Sequence, residues 1–235
     1  EVDYALVAPP GVTIHSHRLW IHPGVEGQEG IDRTNEGVEE AARYLGRARV
    51  AIIAYGFTTG SFYRGTDYNR DLSQRIAKAA GVPAITPATA ILEALRLFRA
   101  ERISVATPYP EWNNERLLTY LKATGIQVLN LQGDPRPASI AIHAPLWDQE
   151  PEEVLAFASR ACRPEAEALL CPCTAWRAVE VADALERRLG IPVVTANQAT
   201  IWATLRRIGI LEPIHGFGRL LSTHVGPGSS PPIEE

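Results

Sequence analysis

The chain has no methionine, only three cysteines in 235 residues, and 7% aromatic residues. Nothing physical in the sequence accounts for the missing methionine. Cys162, Cys171 and Cys173 are an odd set in a chain of this length, which argues against a disulfide framework and predicts at least one free thiol. Cys171 and Cys173 are one residue apart, so they supply neither the CxxC spacing of a redox pair nor a second pair of zinc ligands. No apolar run approaches the ~20 residues that a membrane-spanning helix needs. Glu1 to Pro10 lacks the basic and apolar regions of a signal peptide, and a cytoplasmic location is the expectation. The sequence carries no GxGxxG, P-loop or GxSxG pattern, which removes the usual support for nucleotide, phosphate and serine-hydrolase chemistry.

A formal net charge of −4, with Lys and Arg scattered along the chain, leaves no electrostatic footprint for nucleic acid or an anionic membrane. A small-molecule partner and cofactor-free chemistry are the expectation. At 46% hydrophobic the chain can bury a substantial core. His15, His17 and His22 in IHSHRLWIH raise a metal question, since alternating strand residues share a face. They read more simply as polar loop residues, and no metal site is expected.

Short β-branched runs alternate with longer helical patterns, the signature of βαβ units around a parallel sheet. The expected strands are Tyr4 to Ala8, Val50 to Tyr55, Pro83 to Thr86, Arg102 to Ala106, Ile126 to Asn130, Ala168 to Pro172 and Pro192 to Thr195. Helices are expected over Asn35 to Gly46, Asn69 to Ala80, Pro87 to Arg99, Glu111 to Thr124, Glu152 to Arg160, Trp176 to Leu189 and Gln198 to Ile208. Thr86 before Pro87 supplies an N-cap and a proline at the first helical position, and Gly81 and Gly190 stand where helices should end.

GVPAITPATAILEALRLF, Gly81 to Phe98, matches GIPVVTANQATIWATLRRI, Gly190 to Ile208, in order and residue type. A duplication is the simplest account. The expected architecture is therefore α/β, with two pseudo-symmetric parallel-sheet halves and the active site in the cleft between them. The first half takes 1–101 with 209–225, the second 102–208, and 226–235 forms a flexible tail. Gly216 to Arg219 are expected to help close the first half.

In open parallel sheets ligands bind beyond the carboxyl ends of the strands. Three loops qualify: Gly56 to Gly65, the segment around Tyr109, and Cys171 to Ala175. Thr58, Thr59, Gly60 and Ser61 put hydroxyls and small side chains at a strand-to-helix turn, a cradle suited to a carboxylate, though a plain turn would look the same. Cys173 precedes Thr174 and an expected helix starting near Ala175, where a helix N-terminus would favour the thiolate. A buried structural cysteine is the competing reading.

At these loops the chain resembles the aspartate/glutamate racemase superfamily, and within it the branch of arylmalonate decarboxylases and maleate isomerases. The resemblance is carried by SFYRG at Ser61 to Gly65, NERL at Asn114 to Leu117, ERRLGIPVV at Glu186 to Val194, Trp202, and GFGRL at Gly216 to Leu220, and looks most like the decarboxylases. It implies a racemase-like fold, Cys173 rather than Cys171 as the catalytic residue, and Thr58, Thr59, Tyr109 and Thr174 as the holders of a substrate carboxylate. Pro9, Phe57 and Gly60 would shape the pocket, and the segment from Gly133 to Gln149 would form its wall or lid.

Members of the superfamily that racemise or isomerise carry a second cysteine where this chain has Phe57, and the decarboxylases usually carry glycine there. Racemisation needs an acid and a base on opposite faces, whereas a single thiol suits one-sided protonation. The resemblance therefore implies cofactor-independent decarboxylation of a substituted malonate, with maleate isomerisation or racemisation of a small carboxylate as the alternative. The partner would be a small carboxylate or dicarboxylate, and the oligomeric state is left open.

Overall fold

A computed structural model describes residues 1–22, 25, 27–134 and 149–223. The chain opens with α1 (Val2–Val7), α2 (Gly27–Glu36) and α3 (Val38–Arg47). The first half continues with β1 (Ile53–Ala54), α4 (Thr58–Phe62), α5 (Thr66–Ala80), β2 (Ala84–Ile85) and α6 (Pro87–Leu97). The second half holds β3 (Arg102–Thr107), α7 (Glu111–Ala123), β4 (Gln127–Gly133), α8 (Pro151–Ala161), β5 (Ala168–Cys171), a 3-10 turn (Val179–Val181), α9 (Ala182–Leu189), β6 (Val193–Thr195) and α10 (Ala196–Arg207), and a short α11 (Arg219–Ser222) follows.

Every described strand pair is parallel: β1 pairs with β2, and the larger sheet runs β4-β3-β5-β6. The inner strands β3 and β5 and the edge strand β6 are buried on both faces, apart from Arg102 at the start of β3, because helices cover them. The α/β class read from the alternation of elements is the fold observed.

The internal repeat has a structural counterpart. Thr86 caps α6 by accepting from the Thr89 amide at 3.3 Å, and Thr195 caps α10 by accepting from the Gln198 amide at 3.1 Å. Both capped helices follow a strand directly, and they pack on each other, with α6 reaching β6 and α10 reaching β1 and β2. Glu93 and Arg207 tie them together through two hydrogen bonds of 2.6 and 3.0 Å.

Three expectations are corrected. Tyr4 to Ala8 is not a strand: Val2–Val7 is helical, with the Ala8 amide bonded to the Tyr4 carbonyl at 2.8 Å. A lone strand there would need a neighbour for its amides, and a helix supplies its own partners. Asn35 to Gly46 is not one helix but the end of α2 and most of α3, broken at Gly37. No helix begins at Ala175: residues 174–178 form turns and helical structure starts at Val179, because Trp176 is pulled into the core, its indole N–H donating to Gln149 at 2.5 Å.

The GFGRL segment is tied to second-half elements. Arg219 donates its amide to Glu186 at 2.7 Å, Gln198 donates to the Phe217 carbonyl at 2.6 Å, and α11 rests on α10 and β6. The expected lid falls almost wholly on 135–148 and the expected tail on 226–235, both outside the described residues. Among the described residues no helix is long and apolar enough to cross a membrane.

Candidate active site

Strand registers place the site. Ile53 pairs with Ala84 and Leu169 with Val193. Superposing the two capping threonines, Thr86 on Thr195, matches Ala84 with Val193 and therefore Ile53 with Leu169. Counting forward four residues, Phe57 becomes the counterpart of Cys173, and Thr58 that of Thr174. The two loops meet directly, since the Thr174 hydroxyl donates to the Gly56 carbonyl at 3.1 Å.

Tyr109 enters from the loop after β3 and is held by its own neighbourhood. Asn114 donates to the Tyr109 carbonyl at 2.9 Å and accepts from the Thr107 hydroxyl at 2.7 Å, while the Tyr109 amide donates to that hydroxyl at 3.2 Å. A Cβ at Gly133 would lie 2.8 Å from Asn114 Nδ2, so this clamp requires glycine on β4. Tyr109 donates its phenol to the Pro172 carbonyl at 2.9 Å, which anchors it beside the Cys173 loop.

The α4 loop is equally fixed. Ser61 donates to the Thr58 carbonyl at 2.6 Å and accepts from the Ala88 amide, tying α4 to α6. Asn35 donates to the Gly60 carbonyl at 3.1 Å and accepts from the buried Tyr55 phenol. A Cβ on Gly60 would approach Tyr55 Oη to 2.2 Å and the Phe57 ring to 2.6 Å, so only glycine fits there.

Thr58, Thr59, Tyr109 and Cys173 are thereby gathered inside the protein, at 1%, 2%, 6% and 5% exposure. The backbone amides of Ala175 and Trp176 and the Tyr109 phenol all face the Cys173 thiol in the sense that favours thiolate. Burial outweighs them and pushes the thiol up to about 11. This reverses the expectation of a thiolate, because no helix starts at Ala175 and the low-dielectric interior penalises charge. Burial and the nearby Cys173 likewise hold the Tyr109 phenol well above its ordinary value, against the hydroxyls of Thr59 and Thr58, which favour its ionisation. Cys171 is fully buried and pushed up to about 12 by desolvation.

The other expected residues fall out as follows. Thr174 lies in the cleft, and its carbonyl accepts from Asn197 at 2.8 Å. Phe57 is half-buried, its ring 6.3 Å from that of Tyr55. Pro9 follows α1 and accepts from the Val12 amide, without a hydrogen bond to the cleft. His15 and His17 are exposed and His22 is partly buried, with His17 stacked on Tyr44 at 5.2 Å. Among the described residues no three His, Cys, Asp or Glu side chains are grouped to hold a metal ion.

One site residue escaped the sequence reading. Asn113, fully buried on α7, donates to the Thr59 hydroxyl at 2.9 Å. Within the helical pattern it looks like any polar surface position, and only its tertiary contact reveals it. A groove of about 700 Å³ between α7 and β4 includes Tyr109 but neither threonine nor Cys173. The convergent polar groups, not that groove, mark the site.

Comparison with known proteins identifies the family and the fold. The family model described as arylmalonate decarboxylase matches residues 24–221. Arylmalonate decarboxylase of Bordetella bronchiseptica is 32% identical over 198 residues, covering 82% of this chain and 80% of that protein. A crystal structure of arylmalonate decarboxylase superposes with a TM-score of 0.74 at 28% identity, covering 82% of this chain and 84% of the other. The maleate isomerase Iso from Pseudomonas putida S16 superposes with a TM-score of 0.84 at 25% identity, covering 94% and 90%. With the family model matching residues 24–221 and a 32% identical relative covered over most of its length, the chain belongs to the arylmalonate decarboxylase family.

Proposed function

We propose that the chain is a cofactor-independent decarboxylase of a substituted malonate, with Cys173 as the proton donor. One observation carries this choice: of the two symmetric positions in the cleft, one holds a thiol and the other a phenyl ring. In the proposed reaction one carboxylate is held by Thr58, Thr59 and the amides beyond Cys173. The bond from the α-carbon to the second carboxyl breaks, carbon dioxide leaves, and the electron pair passes into the retained carboxylate as an enediolate. The Cys173 proton then goes to the α-carbon, and solvent reprotonates the thiolate.

Burial suits both steps. It weakens the hydration of the departing carboxylate and strengthens fixed donors aimed at the enediolate oxygens. It also keeps Cys173 protonated at neutral pH, as an acid must be. Isomerisation is the second reading, favoured by the likeness to a maleate isomerase, but a lone thiol leaves it without a partner on the opposite face.

The test is proton NMR of phenylmalonate, methylphenylmalonate and maleate incubated in deuterated water with wild type and Cys173→Ala. Monodeuterated arylacetate or arylpropionate formed by wild type alone is the expected result. Fumarate would establish the isomerase, and no carbon dioxide release from any substituted malonate would overturn the decarboxylase.

A further inference from the structure

Among the described residues two buried polar atoms near Thr59 are without hydrogen-bond partners. Asn113 donates through Nδ2 to Thr59 Oγ1 at 2.9 Å, while its Oδ1 accepts nothing. Thr58 Oγ1, one residue away on α4, stands beside the Tyr109 phenol yet makes no hydrogen bond of good geometry. Folded proteins satisfy the great majority of buried side-chain polar atoms, so each bare one asks for an explanation. Here two lie next to the same hydroxyl, on separate helices, within the group that includes Cys173.

Their chemistry differs. Thr58 can donate to a carboxylate oxygen. Asn113 Oδ1 can only accept, so it needs an N–H or O–H. Both amide atoms sit on one carbon, which puts Oδ1 within roughly 4–5 Å of the Thr59 hydroxyl, so hydrogen bonds of about 2.7–3.2 Å from the two groups can converge on neighbouring ligand atoms, such as a carboxylate oxygen and a hydroxyl on the adjacent carbon. The nearby Phe57 ring, packed on Gly60, fills space beside the threonines.

We propose that Asn113 determines specificity, and that the site prefers a small malonate bearing a hydrogen-bond donor, a hydroxyl or amine, on its central carbon. The proposal rests on the malonate reading above. Asn113 thereby has two tasks: Nδ2 orients the Thr59 hydroxyl, and Oδ1 recognises the substituent.

Hydroxymalonate and methylmalonate differ by a hydroxyl for a methyl of similar volume and share both carboxylates. Calorimetric titration of each into the wild type should show hydroxymalonate binding ~10-fold more tightly, the worth of one hydrogen bond to a buried acceptor. Asn113→Leu should remove that preference, weakening methylmalonate through the lost support of Thr59 and hydroxymalonate by ~10-fold more. Equal or tighter binding of methylmalonate to the wild type overturns the inference without recourse to any variant, and a preference that survives Asn113→Leu overturns the assignment to Asn113. Binding of neither compound overturns the inference together with the carboxylate site beneath it, an outcome distinct from equal binding of both.

Discussion

Removal of the Tyr109 hydroxyl tests structure and chemistry together. In Tyr109→Phe the ring stays in its packing against Phe62, whose centroid is 6.4 Å away, but the Pro172 carbonyl loses the donor it has at 2.9 Å. A buried acceptor left bare costs about 1–3 kcal/mol. For a chain of this size each kcal/mol lowers the melting temperature by roughly 2–4 °C, so a fall of about 2–12 °C is expected in a thermal melt. The phenol also faces the Cys173 thiol and favours its ionised form. Its loss should raise the thiol further and slow alkylation by iodoacetamide at a fixed alkaline pH. If the phenol is an enediolate donor, kcat should fall by ~10- to 1000-fold. An unchanged melting temperature would refute the energetic role of the Pro172 bond. A lowered melting temperature with unchanged kcat would confine Tyr109 to holding the Cys173 loop in place.

Two further outcomes follow from the same geometry. Because burial pushes Cys173 up to about 11 from an ordinary 9.0, activity of an acid should be level through neutral pH and fall as the thiol ionises. Stability should follow the same sign: this group's contribution is complete below about 9 and is lost as pH rises toward 11, since the unfolded thiol releases its proton first. A rate that climbs between pH 7 and 9 would show that the thiolate is the working form. Phe57→Cys should place a second thiol at the position symmetric with Cys173, at a stability cost of roughly 2 kcal/mol for the lost ring. In deuterated water it should exchange the α-hydrogen of the monoacid product, where the wild type does not; NMR of the recovered acid would decide, and no exchange would refute the opposition of the two positions.

Much of this protein can be read along the chain because the physics involved is local. Apolar β-branched runs such as Arg102–Thr107 and Val193–Thr195 make strands. Thr86 before Pro87 caps a helix, and Gly81 and Gly190 end helices in the left-handed conformation only glycine adopts freely, at φ of 73° and 76°. The repeat from Gly81 and Gly190 is a comparison of residues with residues, and it pointed correctly to two related strand–helix units.

Where partners are distant in sequence, the chain by itself was silent or misleading. Tyr4 to Ala8 reads as a strand along the chain, yet Val2–Val7 is helical, since helix or strand there depends on whether a neighbour accepts its amides. Cys173 was expected to favour thiolate from the residues after it, but the solvent-excluding core around it sets the opposite direction. Asn113 is 54 residues from Thr59, and its place on the buried face of α7 does not by itself reveal the hydroxyl it meets. The sequence alone therefore determined the α/β class, the repeat and the candidate thiol. The tertiary structure decided which groups face that thiol, which stay unsatisfied, and which protonation state the interior permits, because desolvation and hydrogen-bond satisfaction depend on atoms that the chain brings together only by folding.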